Sequence, residues 1–256
     1  MAFLDPVLNP LLQPLLSSSP ILGILVIALI VSILITLVYK FMTNQAEMKR
    51  LKDQQKEFQG RMKELRDKPE EMMKVQKEAM KLNMEYMKHS FKPTLITMLP
   101  ILLIFGWMSG HLAFEPIYPG ESFSITAQFS DALTGNAVLM VDEGVNLISP
   151  AEQEIADNKA TWNLKSSEGT HYLKVTAGEQ EQQKKVLITK DLKYEEAIST
   201  YQHSEIEVIN INYNKLLPLG HDFTVPLFDW QPGWLGVYIV FSIIFSIGLR
   251  KALKLY

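Results

Sequence analysis

The stretch 21–38, ILGILVIALIVSILITLV, runs for eighteen residues without a charged side chain. A helix of roughly 17–25 predominantly apolar residues is long enough to cross a bilayer. Two further apolar runs occur at 95–108 and 234–249, and the segments between the three runs are ordinary polar sequence. The chain of 256 residues is therefore predicted to be an α-helical membrane protein with three spans. We place the transmembrane helices at 20–41, 93–112 and 233–250.

Residues 1–19 precede the first span and lack the features of a secretory signal. They have no positively charged start, they contain Asp5, and three prolines interrupt any long apolar helix. The first span is therefore expected to be retained. One interpretation of residues 1–19 is an external segment whose proline-spaced leucines lie in the plane of the membrane surface.

The distribution of charge predicts the orientation of the chain. Residues 40–92 contain 14 Lys/Arg and 9 Asp/Glu, whereas residues 115–229 contain 8 Lys/Arg and 18 Asp/Glu. Positively charged flanks remain in the cytoplasm, so residues 40–92 and the tail 251–256 are expected inside. The N-terminus and residues 115–229 are expected outside. We therefore predict a multi-pass protein of the plasma membrane with a cytoplasmic C-terminus.

Residues 44–91 are predicted to form a cytoplasmic helical hairpin. Apolar residues recur at spacings of three and four, which is typical of a coiled coil. Pro69 is compatible only with the first turn of a helix, so a second arm begins there. The arms, each roughly 33 Å long, are expected to pair antiparallel. Their seams are Met48, Leu51, Gln55, Phe58, Met62 and Leu65 in the first arm and Met72, Val75, Ala79, Leu82 and Tyr86 in the second.

The second arm carries another apolar face, roughly 130° from its seam at about 100° per residue. Four alternatives remain for what covers this face: a third element of the chain, a second copy of the protein, the membrane surface or a transient apolar client. Methionine is flexible and polarisable, which suits a surface that accepts many apolar shapes. Lysines around this face keep it soluble, or approach anionic lipid or RNA phosphates. The predicted client-binding residues are Met73, Met80, Met84, Met87 and Phe91.

Polar side chains follow one face of each span towards its cytoplasmic half. This pattern predicts a shallow hydrophilic groove that is open to the cytoplasm, with Lys40 near its floor or mouth. The alternatives are that Ser and Thr bond carbonyls of their own helix and that Lys40 extends to the interface. The predicted groove residues are Ser32, Thr36, Tyr39, Lys40, Thr94, Thr97, Tyr238, Ser242 and Ser246.

Two of the apolar segments, with the Met-rich hairpin before the first, resemble a known family. They are KPTLITMLPILLIFGWMSGHL at 92–112 and QPGWLGVYIVFSIIFSIGL at 231–249. Their order resembles the archaeal YidC-like branch of the Oxa insertase superfamily, to which the third subunit of the ER membrane complex also belongs. The resemblance implies that apolar segments pass from a ribosome through the hairpin and into the bilayer by the groove. It also implies a basic groove residue on the first span, where Lys40 is the only basic match.

Residues 115–215 are predicted to form an inserted extracytoplasmic β-sandwich, followed by a return loop at 216–232. Five segments alternate between apolar and polar residues or carry β-branched residues, and turn signals separate them: SFSITAQF, NAVLMVD, KATWNLKS, THYLKVTA and KKVLITK. The segment EIEVINI is expected to add an edge strand. Five or more short strands in about a hundred residues are typical of an immunoglobulin-like domain. Trp162 is predicted to lie in its core. His171, His203 and His221 show no metal spacing and are expected at the surface.

The sequence shows no catalytic motif, so an enzyme is not expected, and no cofactor or metal is predicted. The leading hypothesis is a membrane-protein insertase or chaperone. Its expected partners are hydrophobic nascent chains, the lipid bilayer, a ribosome contacting the basic hairpin and, as an open alternative, the Sec translocon; DNA is not expected. The rival hypothesis is an oligomeric scaffold that links an outer adhesion-type domain to a cytoplasmic coiled coil. A solute channel fits poorly, because three uncharged spans supply too little pore lining.

Overall fold

A computed structural model describes residues 4–131, 133–226 and 229–255. The predicted segments 1–19, 115–215, 216–232 and 251–256 therefore each include residues outside these ranges. The described part contains five helices and nine strands. The helices are α1 (Asp5–Ser18), α2 (Pro20–Met42), α3 (Gln45–Glu64), α4 (Pro69–Leu112) and α5 (Trp234–Ala252).

Three of these helices are long and apolar enough to cross a membrane, which confirms the number of predicted spans. They are α2, α4 and α5, with mean hydropathies of 3.2, 1.7 and 1.6 in their most apolar windows. Helix α5 extends beyond the apolar run to include Arg250 and Lys251 in its last turn. Cations in the last turn interact favourably with the carbonyl end of a helix.

Helix α4 is continuous over 44 residues, whereas the sequence predicted a hairpin arm that ends at residue 91 and a separate span from 93. Pro93 and Pro100 both lie inside this helix. A proline removes one intrahelical hydrogen bond but does not end a helix whose neighbouring turns are intact. The Thr97 hydroxyl donates to the Pro93 carbonyl at 3.1 Å in the turn that follows Pro93. The hairpin and the second span therefore share one helix.

The N-terminal prolines also lie within a helix, since α1 includes Pro10 and Pro14. The prolines of α1 are spaced by four residues, so they fall on one face and the hydrogen bonds they remove belong to one row. The remaining rows hold the helix. The sequence analysis expected these prolines to interrupt any long helix. Helix α1 includes two of them in its interior, and it is only 14 residues long.

The chain divides into two compact units. The first unit comprises Met1–Pro20 and Trp107–Trp234, and the second comprises Ile21–Gly106 and Leu235–Tyr256. The first unit therefore holds α1, the last turns of α4 and all the strands. The second unit holds α2, α3, most of α4 and nearly all of α5.

Within the second unit, α3 and the first half of α4 form an antiparallel hairpin. Asn44 caps α3 by accepting from the backbone N–H groups of Ala46 and Glu47. Two contacts join the arms: Arg50 lies 3.6 Å from the Glu85 carboxylate, and the Gln55 amide donates to Asn83 at 3.1 Å. Gln55 follows Arg50 in α3, but its partner Asn83 precedes Glu85 in α4, so the arms run in opposite directions. The predicted seams meet here, with Met48, Leu51, Val75 and Leu82 buried.

The first unit contains a β domain built from two antiparallel sheets, which confirms the predicted β-rich region. One sheet has the order β3-β5-β1-β9-β8 and the other β4-β2-β6-β7. The six predicted strand segments correspond to six of these strands, but EIEVINI forms β9, which lies between β1 and β8 and not at the expected edge. The strands are β1 (Ser122–Phe129), β2 (Asn136–Val141), β3 (Val145–Leu147), β4 (Glu152–Glu154), β5 (Lys159–Ser166), β6 (Gly169–Ala177), β7 (Gln180–Ile188), β8 (Ile198–Thr200) and β9 (Ile206–Ile211).

The sequence missed β3, β4 and β8, which have three residues each and lie at sheet edges. A strand of three residues is too short to show an alternating pattern. The immunoglobulin-like classification remains a prediction. The turn at Gly144 requires glycine, because its φ of +88° disfavours other residues and an added Cβ would lie 2.6 Å from the Ser167 hydroxyl.

One core lies between the two sheets, and it contains inward-facing residues from both. Trp162 is completely buried there, as predicted, and its indole N–H donates to the Ala151 carbonyl at 2.8 Å. The expectation of a surface position is wrong for His171, which is buried on β6 and lies 3.1 Å from the Ser167 carbonyl. Alternation along β6 places this ring on the inner face.

Lys184 is a second buried polar group in the β domain. Its ammonium donates to the Glu196 carbonyl at 2.6 Å and to the Ser199 hydroxyl at 2.7 Å, which ties β7 to the segment that carries β8. Burial lowers the pKa of Lys184. The Tyr201 hydroxyl donates to the Gln183 carbonyl at 2.7 Å. The Tyr201 contact occupies a backbone carbonyl along the edge strand β7, whose unpaired backbone groups would otherwise be open to pairing.

Candidate functional site

The second arm of the hairpin presents an uncovered apolar face, here called the Met stripe. Its members are 55–67 % exposed, a high value for large apolar side chains. The seam of the same helix faces α3 and is buried or half-buried. Helix α4 therefore has two apolar faces in this region, and α3 covers one of them. The Met stripe consists of Met73, Met80, Met84, Met87 and Phe91.

The Met stripe continues without a break into the apolar part of α4. Leu95, Met98 and Leu102 follow Phe91 at helical spacings of four, three and four residues, and all three are exposed. At 3.6 residues per turn these positions remain on one face. From Met73 to Leu102 the uncovered face extends about 44 Å at 1.5 Å per residue. Pro93 and Pro100, the two interior prolines of α4, lie about half a turn away from this face.

A depression between the hairpin arms borders the Met stripe and is lined by amide side chains as well as methionines. It has a volume of about 370 Å³ and lies where the seam contains polar Gln55 and small Ala79 instead of two large apolar residues. Met62 and Met80 both line it. Met62 and Met72 belong to the predicted seams but are only half-buried. The sequence analysis assigned Met62 and Met72 to the pairing of the arms alone. The polar Gln55 and the small Ala79 at seam positions were the available signal that the seam is not closed here.

A polar groove lies between α2 and α5. The Ser32 hydroxyl donates across it to the Ser242 carbonyl at 3.4 Å. The groove has a volume of about 300 Å³, and its polar lining combines with isoleucines from both helices. Its lining residues are Ser32, Ile35, Tyr238, Ser242, Ile243, Ser246 and Ile247.

Four of the nine predicted groove residues therefore meet, and five do not line this groove. Thr36 and Thr97 are buried, and each hydroxyl donates to a carbonyl of its own helix at 2.6 and 3.1 Å respectively. Thr94 does the same at 2.8 Å and is exposed. For these threonines the structure shows the bonding to their own helix that the sequence left open as an alternative. Lys40 is exposed at the end of α2.

Arg250 supplies a cation near the groove that the sequence analysis did not assign to it. Its guanidinium lies 4.9 Å from the centre of the Tyr39 ring, within the distance of a cation–π contact. The contact joins the last turn of α5 to the last turn of α2. Arg250 comes four residues after Ser246, so the two side chains share a helix face. The four-residue spacing from Ser246 is visible in the sequence, so it was an available signal for including Arg250 among the predicted groove residues.

Comparison with known families identifies the helical part of the chain. A model of the EMC3/TMCO1-like family of integral membrane proteins matches residues 5–140, slightly more than half of the chain. The chain belongs to this family. The comparison with curated proteins gave no significant match, and neither did the comparison with solved structures.

The EMC3/TMCO1-like family is part of the Oxa1/YidC/Alb3/EMC3 insertase superfamily. Membership implies a lipid bilayer and membrane-protein clients. The match includes α1 to α4 and ends within the β domain at Met140, in β2. The Met stripe therefore lies wholly within the part of the chain that defines the family. Helix α5, with Ser242, Ser246 and Arg250, lies beyond the match.

Charged groups at the base of the EMC3/TMCO1-like hairpin form a network around Arg50. Its guanidinium donates to Glu47 at 2.5 Å, and this hydrogen bond lowers the pKa of Glu47. The ligand atoms of Glu47, Glu85 and His89 all lie within 4.8 Å of one another, a spacing that a metal ion could use. Arg50 already contacts both carboxylates. We therefore interpret the group as an ion-pair network that links the arms.

We expect the Arg250–Tyr39 contact of this EMC3/TMCO1-like chain to contribute about 0.5–1 kcal/mol to the free energy of unfolding of the second unit. In a double-mutant cycle, Arg250→Gln and Tyr39→Leu should show a coupling energy of this size, measured by unfolding in detergent. Tyr39→Phe preserves the aromatic face and should preserve most of the coupling. Lys40→Gln removes an equal charge from the same end of the membrane region and should show no coupling to Tyr39. Equal coupling for Lys40 would contradict the assignment.

Proposed function

We propose that this protein is a membrane-protein insertase or chaperone that receives apolar segments on the Met stripe and passes them to the bilayer. The observation that carries the proposal is the continuity of the uncovered face along α4. A segment bound at Met84 is on the same helix face as Met98 and Leu102, so movement along α4 requires no step through water. Methionine adapts to varied apolar shapes, which suits a surface whose clients differ in sequence.

The polar groove is the proposed route for hydrophilic flanks of a client. Ser32, Ser242 and Ser246 offer hydrogen-bonding groups within the apolar part of the helices, which lowers the cost of carrying polar groups past hydrocarbon. Arg250 at the end of the groove adds positive charge for acidic flanks. The process needs neither catalysis nor a cofactor, because burial of apolar surface supplies about 25 cal/mol per Å².

The charge distribution supports the membrane orientation that this proposal requires. The surplus of lysine and arginine in residues 40–92 favours the hairpin in the cytoplasm, where nascent chains emerge, and favours the β domain outside. Lys74, Lys77, Lys81 and Lys88 are all exposed beside the Met stripe. These lysines suit contact with ribosomal RNA phosphates. Within the superfamily, the Met-rich hairpin and the order of spans favour the archaeal YidC-like branch, working alone or beside the Sec translocon in the plasma membrane.

Site-specific photocrosslinking to stalled ribosome–nascent chains tests the route. A photoreactive amino acid is placed at Met84, Met98 or Ser32, and nascent chains of increasing length each expose one apolar segment. We expect crosslinks to appear first at Met84, then at Met98 and finally at Ser32. Glu78 is a matched control, because it is exposed on the same arm but lies roughly 140° from the Met stripe at about 100° per residue, and it should crosslink weakly at every length.

The same experiment distinguishes the rival function. In the scaffold hypothesis the Met stripe is the interface between copies of the chain. Met84 would then crosslink to a second copy at every chain length, with no transfer to Ser32. The uncovered Met stripe is the observation that keeps this alternative open, since an apolar face of this size is also typical of an oligomer interface. That result would replace the insertase proposal with the scaffold.

A further inference from the structure

Helix α1 has the reverse of the polarity expected for a helix on a water-soluble surface. Its polar residues Asp5 and Asn9 lie on the same face as buried Leu12 and Leu16, and this face packs inward. The opposite face is exposed and apolar: Leu11 is 68 % exposed and Val7 61 %. The outward residues of the first three turns are Pro6, Val7, Pro10, Leu11 and Pro14, none of which is charged.

Two polar contacts hold the inward face on the last turns of α4. The Trp107 indole N–H donates to the Asn9 side-chain oxygen at 3.0 Å, and Trp107 itself is buried. His111 stacks on Trp107 with ring centres 4.5 Å apart. Its Nε2 lies 3.6 Å from an Asp5 carboxylate oxygen. These contacts determine which face of α1 points away from the protein.

Both ends of α1 are tied to the same side of the membrane. Its N-terminal turn contacts His111, one residue before α4 ends at Leu112. Its C-terminal residue Ser18 is separated from the start of α2 by Ser19 alone. Since α2 and α4 are consecutive spans connected by the hairpin, α2 begins on the side where α4 ends. Helix α1, with 14 residues and a length of about 21 Å, is therefore attached at both ends to elements on that side of the membrane.

The prolines limit how deeply α1 can lie. Pro10 and Pro14 have no N–H, so the carbonyls of Pro6 and Pro10 lack their intrahelical donors. Unpaired carbonyls are costly within hydrocarbon but are satisfied by water or lipid headgroups at the interface. The apolar side chains favour contact with acyl chains, and the unpaired carbonyls favour access to water. Only the boundary between headgroups and acyl chains meets both conditions.

We infer that α1 is an interfacial lipid-binding helix, whose Val7–Leu11 face rests on acyl chains while Asp5 and Asn9 fasten it to α4. The occupant of the exposed face is lipid and not a protein. This inference does not depend on the insertase proposal, because it rests on α1 and the end of α4, neither of which contains the Met stripe.

Fluorescence quenching in liposomes tests this contact with the full-length protein. The chain has no cysteine, so Leu11→Cys and Val7→Cys each accept one environment-sensitive label. Nitroxide lipids, labelled near the headgroup or near the chain end, report acyl contact; iodide reports water. Ile148→Cys is the matched control, because Ile148 is 57 % exposed but lies on the β domain. The ratio of lipid quenching to iodide quenching should be about tenfold higher at Leu11 than at Ile148.

Headgroup-level nitroxide should quench the Leu11 label more strongly than chain-end nitroxide, whereas a label at Ile30 within α2 should respond more to the chain-end probe. Two results would overturn the inference. Iodide quenching at Leu11 equal to that at Ile148 would show that the face is in water. Protection of both Leu11 and Val7 from iodide and from lipid probes would show that protein covers it, either a partner or a second copy.

Discussion

Replacement of Met80, Met84 and Met87 by glutamine is expected to reduce client insertion by at least about tenfold. Full burial of a methionine side chain contributes roughly 1.5–3 kcal/mol, and each tenfold change in binding corresponds to about 1.4 kcal/mol. Even partial burial of three side chains therefore exceeds the tenfold threshold. Glutamine has nearly the same length and a similar helix propensity, so α4 should remain intact. The measurement is insertion of a single-span client into liposomes that contain the purified variant.

Replacement of the same three residues by leucine is the matched control. Leucine preserves the apolar face and the helix propensity but is branched and less flexible, so insertion should fall far less than with glutamine. Near-wild-type insertion by the glutamine variant would show that the Met stripe does not contact clients. If instead the glutamine variant is inactive and changes from oligomer to monomer in detergent, the stripe mediates self-association.

The Trp162→Ala substitution should produce the largest loss of stability in the β domain, roughly 3–5 kcal/mol. The residue is fully buried between the sheets, and the substitution leaves a cavity and removes one of two hydrogen bonds to the Ala151 carbonyl, which the Leu139 N–H still contacts at 2.9 Å. Typical domains have a stability of only about 5–15 kcal/mol, so the β domain of this variant should unfold at a much lower denaturant concentration. Chemical unfolding of the full chain, followed by near-ultraviolet circular dichroism, measures the change.

Two controls separate the contributions of Trp162. Trp162→Phe preserves most of the buried ring but removes the N–H donor; because the Ala151 carbonyl keeps its bond from Leu139, the substitution should cost only about 0.5–1.5 kcal/mol. Tyr172→Phe alters an exposed aromatic on β6 and should change stability little. Because the chain divides into two compact units, the helical signal of the second unit should persist when the β domain of Trp162→Ala unfolds. Simultaneous loss of both signals would show that the two units unfold together.

Several sequence predictions depended on patterns within a single element, and these patterns are local. Helical spacing separates the Met stripe from the seam on α4, because 3.6 residues per turn determines which side chains share a face. Strand alternation similarly predicts the inward position of Trp162. The surface expectation for His171 was wrong because it considered the residue type and not its position in β6, where alternation turns the ring inward.

Other features depend on which distant residues meet. Nine polar residues shared similar positions along the spans, yet only Ser32, Tyr238, Ser242 and Ser246 line the groove. Thr36 and Thr97 satisfy their hydroxyls within their own helices, and hydropathy does not distinguish them from Ser32. Arg250 meets Tyr39 across more than 200 residues of sequence. The interhelical packing that selects these partners is not encoded in the spacing within either helix.

Composition and periodicity over single elements were enough to predict the three spans, the alternating strands of the β domain and the extra apolar face of the hairpin. Tertiary structure decided that α4 continues through Pro93, that short β3, β4 and β8 complete the sheets, and that Asp5 and Asn9 of α1 face the protein. These features depend on whether neighbouring elements satisfy polar groups and cover apolar ones. Which polar groups are satisfied and which apolar groups are covered is settled only when distant parts of the chain pack together.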